Sequence, residues 1–269
     1  MNYRHAFHAG NHADVLKHVV LLAILAHLKR KETPFAVLDT HAGRGLYDLR
    51  SDEARRSAEW REGVNRIWDW ADPPALIGTF LEAVRALNPD GARRFYPGSP
   101  ILIAEALRPR DRLAACEKHP EEAEALKQAL RGRAQIHVRD GYEGLRALTP
   151  FPERRGLILI DPPYEAPDDL AQAVQAIKAV HARFAHAIYL LWRPLKDSVQ
   201  LDAADAELPG PKLRADLAIA APALSGPLTA SSVLVINPPF GLDAALKEAL
   251  PALSKRLAAD ASGGWKLRG

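Results

Sequence analysis

With one cysteine in 269 residues, the chain can form no internal disulfide. Cys116 stands at the end of an apolar stretch and reads as a small core residue, which suits a reducing, cytoplasmic setting. Long apolar runs are also missing: the longest, Val19 to Ala26, is far below the roughly 20 residues that a membrane-spanning helix needs. Asp14 precedes this run, Lys29, Arg30 and Lys31 follow it, and no small-residue cleavage pattern comes after. An amphipathic helix is therefore expected there, and neither a signal segment nor a span. Charge of one sign is scarce as well, since a net +3 gives only a mild preference for nucleic acid. Gly43 and Gly45 lack the third glycine of a dinucleotide fingerprint, Asp48 standing in its place, which disfavours a nicotinamide cofactor. Metal ligands are incomplete too. His8 and His12 are four residues apart, but Gly10-Asn11 interrupts a helix between them and no cysteine or carboxylate completes a set, so no metal site is expected.

What is present points to a buried parallel sheet. At 48% hydrophobic content the chain can build a substantial core, and residues 1–269 are expected to form one α/β domain with an elaboration. Leu157-Ile158-Leu159-Ile160 reads as a strand covered on both faces, ending in Asp161-Pro162-Pro163-Tyr164. In open parallel sheets, ligands bind beyond the carboxyl ends of the strands. Pro162 and Pro163 have ring-fixed φ and no N–H, so the chain leaves the ladder with its carbonyls aimed in a nearly set direction. The Asp161 carboxylate and a proline-locked carbonyl make a rigid acceptor pair suited to an NH2 group, and Tyr164 adds a flat face for stacking. An exocyclic base amine is a poor nucleophile because its lone pair is delocalised into the ring. Acceptors that hold both of its hydrogens favour a more tetrahedral nitrogen, which is positioning and electrostatic preorganisation. The electrophile that fits is the methyl group of S-adenosylmethionine. The same tetrapeptide is also compatible with a plain strand and turn.

Order along the chain favours the chemical reading. Phe35-Ala36-Val37-Leu38 is expected as a first strand ending in the glycine-containing turn Asp39 to Gly45. Arg112 to Cys116 ends in Glu117, an acid placed for a ribose diol, and Gln135 to Val138 ends near Asp140-Gly141. Residues 157–160 then form a fourth strand beside the first. A second copy of the pattern, Val233 to Ile236 followed by Asn237-Pro238-Pro239-Phe240, comes late and is assigned a structural turn. Between the first two strands, residues 46–95 read as a helical insertion with Trp60, Trp68 and Trp70, whose helical spacing suits a core better than base stacking. Eight arginines face eight acids across residues 50–96, so the insertion is neutral and its contact with RNA stays open. Ser99 and Pro100 are expected as N-cap and first residue of a helix. Arg4, Lys17, Lys29, Arg30 and Lys31, with five histidines, make residues 1–31 an end attractive to phosphates.

With these residues assembled, the chain resembles the bacterial ribosomal large-subunit methyltransferase J family. The likeness rests on Tyr3-Arg4-His5, Phe7 to His18, Leu38 to Gly43, Tyr96-Pro97-Gly98-Ser99-Pro100 and Arg155 to Tyr164. It implies a class I (Rossmann-like) α/β methyltransferase fold with a seven-stranded, mostly parallel sheet and a small helical insertion after the first strand. It also implies transfer of a methyl group from S-adenosylmethionine to adenine N6 in 23S ribosomal RNA. Carried over by position, His18, His41, Ser99, Glu117, Asp140, Gly141 and Asp161 would line the cofactor site. Asp161, with Pro162 and Tyr164, would be catalytic, and Tyr3 would contact RNA. The expected partner is structured RNA with an exposed adenine, bound by a monomer with no membrane and no metal. Asp-Pro-Pro-Tyr alone leaves open a DNA adenine, an RNA guanine N2, a protein amide, or an idle RNA-binding protein on the same fold.

Overall fold

The computed structural model describes residues 4–269, so Tyr3 and its expected RNA contact lie outside the described residues. A short 3-10 turn at His5–Phe7 leads into α1 (His12–Lys29). Asn11 starts that helix, its side-chain oxygen accepting from the N–H groups of Ala13 and Asp14, both at 3.0 Å. There follow β1 (Ala36–Asp39), β2 (Leu46–Asp48), α2 (Asp52–Ser57), α3 (Val64–Ile67), α4 (Ala75–Ala86), β3 (Phe95–Pro97) and α5 (Ser99–Ala106). Next come β4 (Arg112–Glu117), α6 (Pro120–Leu130), β5 (Gln135–Val138), α7 (Gly141–Ala147), β6 (Gly156–Ile160), α8 (Asp169–His181) and β7 (Ile188–Pro194). The chain closes with α9 (Ser198–Glu207), β8 (Lys212–Ala218), β9 (Ala230–Ile236), α10 (Leu242–Leu257) and β10 (Gly264–Arg268).

The main sheet runs in the order β10-β8-β9-β7-β6-β1-β4-β5. From β5 to β7 every pairing is parallel, and β9 runs antiparallel to both β7 and β8. This is a doubly wound sheet, as expected, with the switch point between β1 and β6. The expected count of seven strands needs one correction, because the carboxyl tail adds an eighth: β10 pairs antiparallel with β8, from Gly264↔Ala218 to Arg268↔Arg214. That pairing closes the open edge of β8, whose N–H and C=O groups would otherwise lack partners.

Strand side chains alternate strictly between two cores. Val37, Leu157, Leu159, Leu190 and Val235 pack under α1, α4, α5, α6 and α10. Leu38, Ile158, Ile160, Leu191 and Ile236 pack under α7, α8 and α9. The expectation of an amphipathic α1 is corrected: 14 of its 18 residues are buried, because it is covered by the sheet on one side and by α4, α5 and α10 on the others. Its direction matters for the site. α1 starts at the carboxyl edge of the sheet and delivers Lys29, Arg30 and Lys31 to the opposite edge, ahead of β1, which splits the basic amino-terminal stretch in two. Between β1 and α5, the chain leaves and returns through the antiparallel pair β2 and β3, with Leu46 opposite Pro97. Trp68 is buried, and Trp60 and Trp70 pack against the same core as α1.

Strand direction also separates the two similar tetrapeptides. Ile236 pairs with Tyr189 at the start of β7, so Asn237 emerges at the edge opposite Asp161. Asn237 has a left-handed backbone (φ 57°), and its amide donates to the carbonyls of Ala185 and Ala187, both at 2.7 Å. It is a structural turn. Asn237→Ala is expected to cost about 1–3 kcal/mol of stability in urea unfolding, since it leaves those carbonyls unpaired, while ligand binding at the carboxyl edge keeps its wild-type affinity.

Candidate active site

A cleft of about 320 Å³ opens at the carboxyl ends of β1, β4, β5 and β6. Its walls include His18, His41, Ser99, Glu117, Asp140, Gly141 and Asp161, all the residues expected around a cofactor. Each is held by a separate local device. Glu117, at the end of β4, accepts from the Gly43 N–H at 2.9 Å and the His119 N–H at 2.8 Å, which fastens the glycine turn to the strand end. Asp140 caps α7, accepting from Tyr142 N–H at 3.0 Å and Glu143 N–H at 3.3 Å. Gly141 is required by close approach: a Cβ there would sit 2.3 Å from the Thr40 carbonyl and 2.6 Å from the His41 ring.

Two of the cleft histidines, His18 and His41, are held uncharged. His18 Nδ1 lies 2.8 Å from the Tyr96 hydroxyl, its ring stacks on Tyr96, and burial drives its pKa down to about 3. Its Nε2 is buried with no hydrogen-bond partner among the described residues. His41 Nδ1 pairs with the Thr40 hydroxyl at 2.7 Å, its ring meets Tyr142 edge-on, and burial lowers its pKa to about 4. Ser99 departs from the expected N-cap. It is the first residue of α5, Gly98 holds the cap position without a side-chain bond, and the Ser99 hydroxyl donates to Asp39 at 2.6 Å. The reason is the burial of Asp39, which is 0% exposed and draws the nearest donor inward. Burial raises the Asp39 carboxyl to about 7; the Ser99 bond opposes the rise and neighbouring Asp161 adds to it.

A second cavity, of about 170 Å³, adjoins the first. Tyr164, Trp192, His8, Asn11 and Lys196 line it, and His5, Lys17, Asp161 and Pro163 belong to both cavities. Pro162 lines the first cavity and Tyr164 the second. The Tyr164 hydroxyl donates to the Trp192 carbonyl at 2.9 Å and its ring meets Trp192 edge-on, with centroids 5.7 Å apart. These contacts fix the ring, whose backbone is left-handed (φ 51°).

At the junction lies a chain of charges that the sequence did not reveal. Lys17 Nζ donates to Asp161 Oδ2 at 2.5 Å and to Asp14 Oδ1 at 2.8 Å. Asp14 Oδ2 in turn meets His5 Nε2 at 3.0 Å and the Gly10 N–H at 2.9 Å. Burial opposes ionisation of Asp14, but neighbouring His5 and Lys17 hold its carboxyl well below the usual carboxylate range. Burial likewise opposes the Lys17 charge, and Asp14 and Asp161 overcome it, raising that ammonium above its ordinary value. A signal was available. Asp14 and Lys17 are three residues apart at the start of an otherwise apolar helix, a pattern that two buried, paired charges produce.

Comparison with known proteins bears directly on this arrangement. Residues 32–268 match the family model described as "Ribosomal RNA large subunit methyltransferase D, RlmJ". The chain is 41% identical over 272 residues to ribosomal RNA large subunit methyltransferase J of Haemophilus influenzae, covering 98% of this chain and 97% of that one. It is 42% identical over 263 residues to the protein of the same name from Escherichia coli, covering 96% and 94%. The chain belongs to this family. A crystal structure of a Legionella pneumophila protein superposes with a TM-score of 0.90 at 32% identity, covering 97% of this chain and 98% of that one. Membership in the family makes the protein an rRNA methyltransferase with the class I fold. Among the described residues no group of three or more His, Cys, Asp or Glu side chains is placed to hold a metal, and His8 pairs with Glu59 at 2.9 Å. No described helix is long and apolar enough to cross a membrane.

Two tests follow from the buried charges. Lys17→Met removes the one cation between Asp14 and Asp161 and is expected to cost about 3–5 kcal/mol in chemical denaturation. Asp39 has a folded-state pKa raised above its unfolded value, so its favourable contribution is complete below pH about 4 and is lost as pH rises through about 7. The stability of Asp39→Asn relative to wild type should therefore climb between those values and level off above. A difference curve that is flat from pH 4 to 8 would remove the assignment.

Proposed function

We propose that this protein transfers a methyl group from S-adenosylmethionine to the exocyclic N6 of an adenine in 23S ribosomal RNA. The observation that carries the reading is the position of Asp161: its carboxylate stands at the junction of two adjoining cavities, beside the proline-locked chain. The first cavity fits the cofactor by the chemistry of its walls. Glu117 presents acceptors suited to ribose hydroxyls, His18 offers a buried nitrogen without a partner, and Gly141 keeps the floor clear of a Cβ. Ser99, His41 and Asp140 complete the holding set. Bound there, S-adenosylmethionine supplies an electrophilic methyl group.

The remaining work belongs to the protein's own residues. Asp161 and the Pro162 carbonyl accept the two amine hydrogens of the base, and Tyr164, on the second cavity, presents an aromatic wall to its ring. The Lys17 ammonium occupies one carboxylate oxygen of Asp161 and leaves the other for the amine. The amine becomes acidic once methylated, so late proton loss needs no strong base. A base stacked inside a helix cannot reach this junction, so the adenine must be unpaired or flipped out. Tyr3 is assigned to RNA contact through the adjacent amino-terminal segment. On this reading the protein acts as a monomer in the cytoplasm, where its RNA is.

Asp161→Ala should reduce methyl transfer to protein-free 23S ribosomal RNA by about a thousandfold or more, while calorimetry shows cofactor affinity weakened at most. Nucleoside mass spectrometry of the wild-type product should show N6-methyladenosine. Label in another nucleoside, or wild-type turnover by the variant, sinks the proposal.

A further inference from the structure

The segment between β1 and α5 is neutral by count, yet its arginines divide into two groups. Five are engaged in holding the fold, the first being Arg44, which donates to Glu122. Arg66 binds Glu62 and the carbonyls of Leu257 and Ala258. Arg85 donates to the Trp68 carbonyl, Arg93 to Asn65 and Asp69, and Arg94 to Asp48. The other four, Arg50, Arg55, Arg56 and Arg61, are exposed, and their side chains make no hydrogen bond or ion pair among the described residues, Arg61 alone lying over the Trp60 ring. The acids of the same stretch are mostly committed. Glu59 is held by His8 and Asn11, and Glu62 by Arg66, while Asp52 and Glu53 sit in the first turn of α2 against the positive end of its dipole.

The stretch that carries Arg55, Arg56 and Arg61 is fastened to the wall of the acceptor cavity. The Ser57 hydroxyl, at the end of α2, donates to the Phe7 carbonyl, and Glu59 fastens the next turn to His8 and Asn11, two residues of the cavity wall. Lys196, exposed, lines the same cavity. Arginines that the fold does not use, beside a pocket for a nucleobase, have the chemistry to grip the phosphates of the strand that carries the base.

We propose that α2 and the turns on either side of it, through Arg50, Arg55, Arg56 and Arg61, form the docking surface for the phosphate backbone of the structured RNA, with Lys196 as a further contact at the cavity. This rests on the reading of the protein as an rRNA methyltransferase. It assigns RNA contact to one end of the insertion and withdraws it from Lys29, Arg30 and Lys31, which lie at the opposite edge of the sheet.

The test compares two triple variants of the full chain, Arg55→Gln/Arg56→Gln/Arg61→Gln and Lys29→Gln/Arg30→Gln/Lys31→Gln, each losing three positive charges. Binding of a protein-free 23S ribosomal RNA transcript is measured across a salt series. Each lost phosphate contact lowers the slope of log affinity against log salt by about 0.7–0.9, so the α2 variant should lose about two units of slope and about tenfold or more in affinity. Its KM for RNA should rise while kcat and cofactor affinity stay at wild-type values. The opposite-edge variant should match wild type. If the α2 variant binds like wild type, or both variants weaken equally, the surface is overturned and the methyltransferase reading stands. A wild-type protein with no affinity for the transcript overturns both.

Discussion

A buried ammonium between two carboxylates is the contact on which the site depends. Lys17 belongs to the first helix and Asp161 to the end of β6, 144 residues later, and their bond fixes the helix start against the strand end at a set distance. The arrangement is costly to break because Asp14 and Lys17 are buried and compensated only by their neighbours. Asp14 extends the chain to His5 and to the Gly10 N–H, so the amino-terminal segment is drawn into the same network. One electrostatic cluster thereby aligns the two cavities and positions the residue they share.

Around this charged seam, the cleft is built from groups kept neutral or already bonded. His18 and His41 lose their charge through burial, and Asp39 is pushed toward the protonated form by the same cause. Against these neutral groups the charges of the cleft stand mostly in pairs, Asp161 with Lys17 and Asp140 with Lys118. Low dielectric makes those few charges effective. The geometry of the acceptor pair comes from elsewhere, from two rings that remove the backbone's freedom right after the strand.

Charge in this protein sorts by whether the fold uses it. The arginines of the segment between β1 and α5 that tie it down face carbonyls, amides and acids, and Arg50, Arg55, Arg56 and Arg61 are left exposed to solvent. A neutral sum over a segment conceals such a division, because net charge says nothing about which members are already paired.

Much of the fold was legible in the chain. Strand endings in the order glycine turn, acid, acid, Asp-Pro-Pro-Tyr identified four of the five parallel strands and gathered the cleft residues, because ligands bind beyond the carboxyl ends of such strands. The same local reading could not see Lys17 and Asp161 meet, since that pairing depends on how a helix from the start of the chain lies across a sheet formed much later. It also could not tell that Ser99 would turn from capping to Asp39, that α1 would be buried all round, or that the tail would supply an eighth strand. In each case, the sequence by itself determined which elements form and what chemistry they bear. Only tertiary packing decided which buried charge finds which partner, because desolvation and pairing act through space and leave no period in the chain.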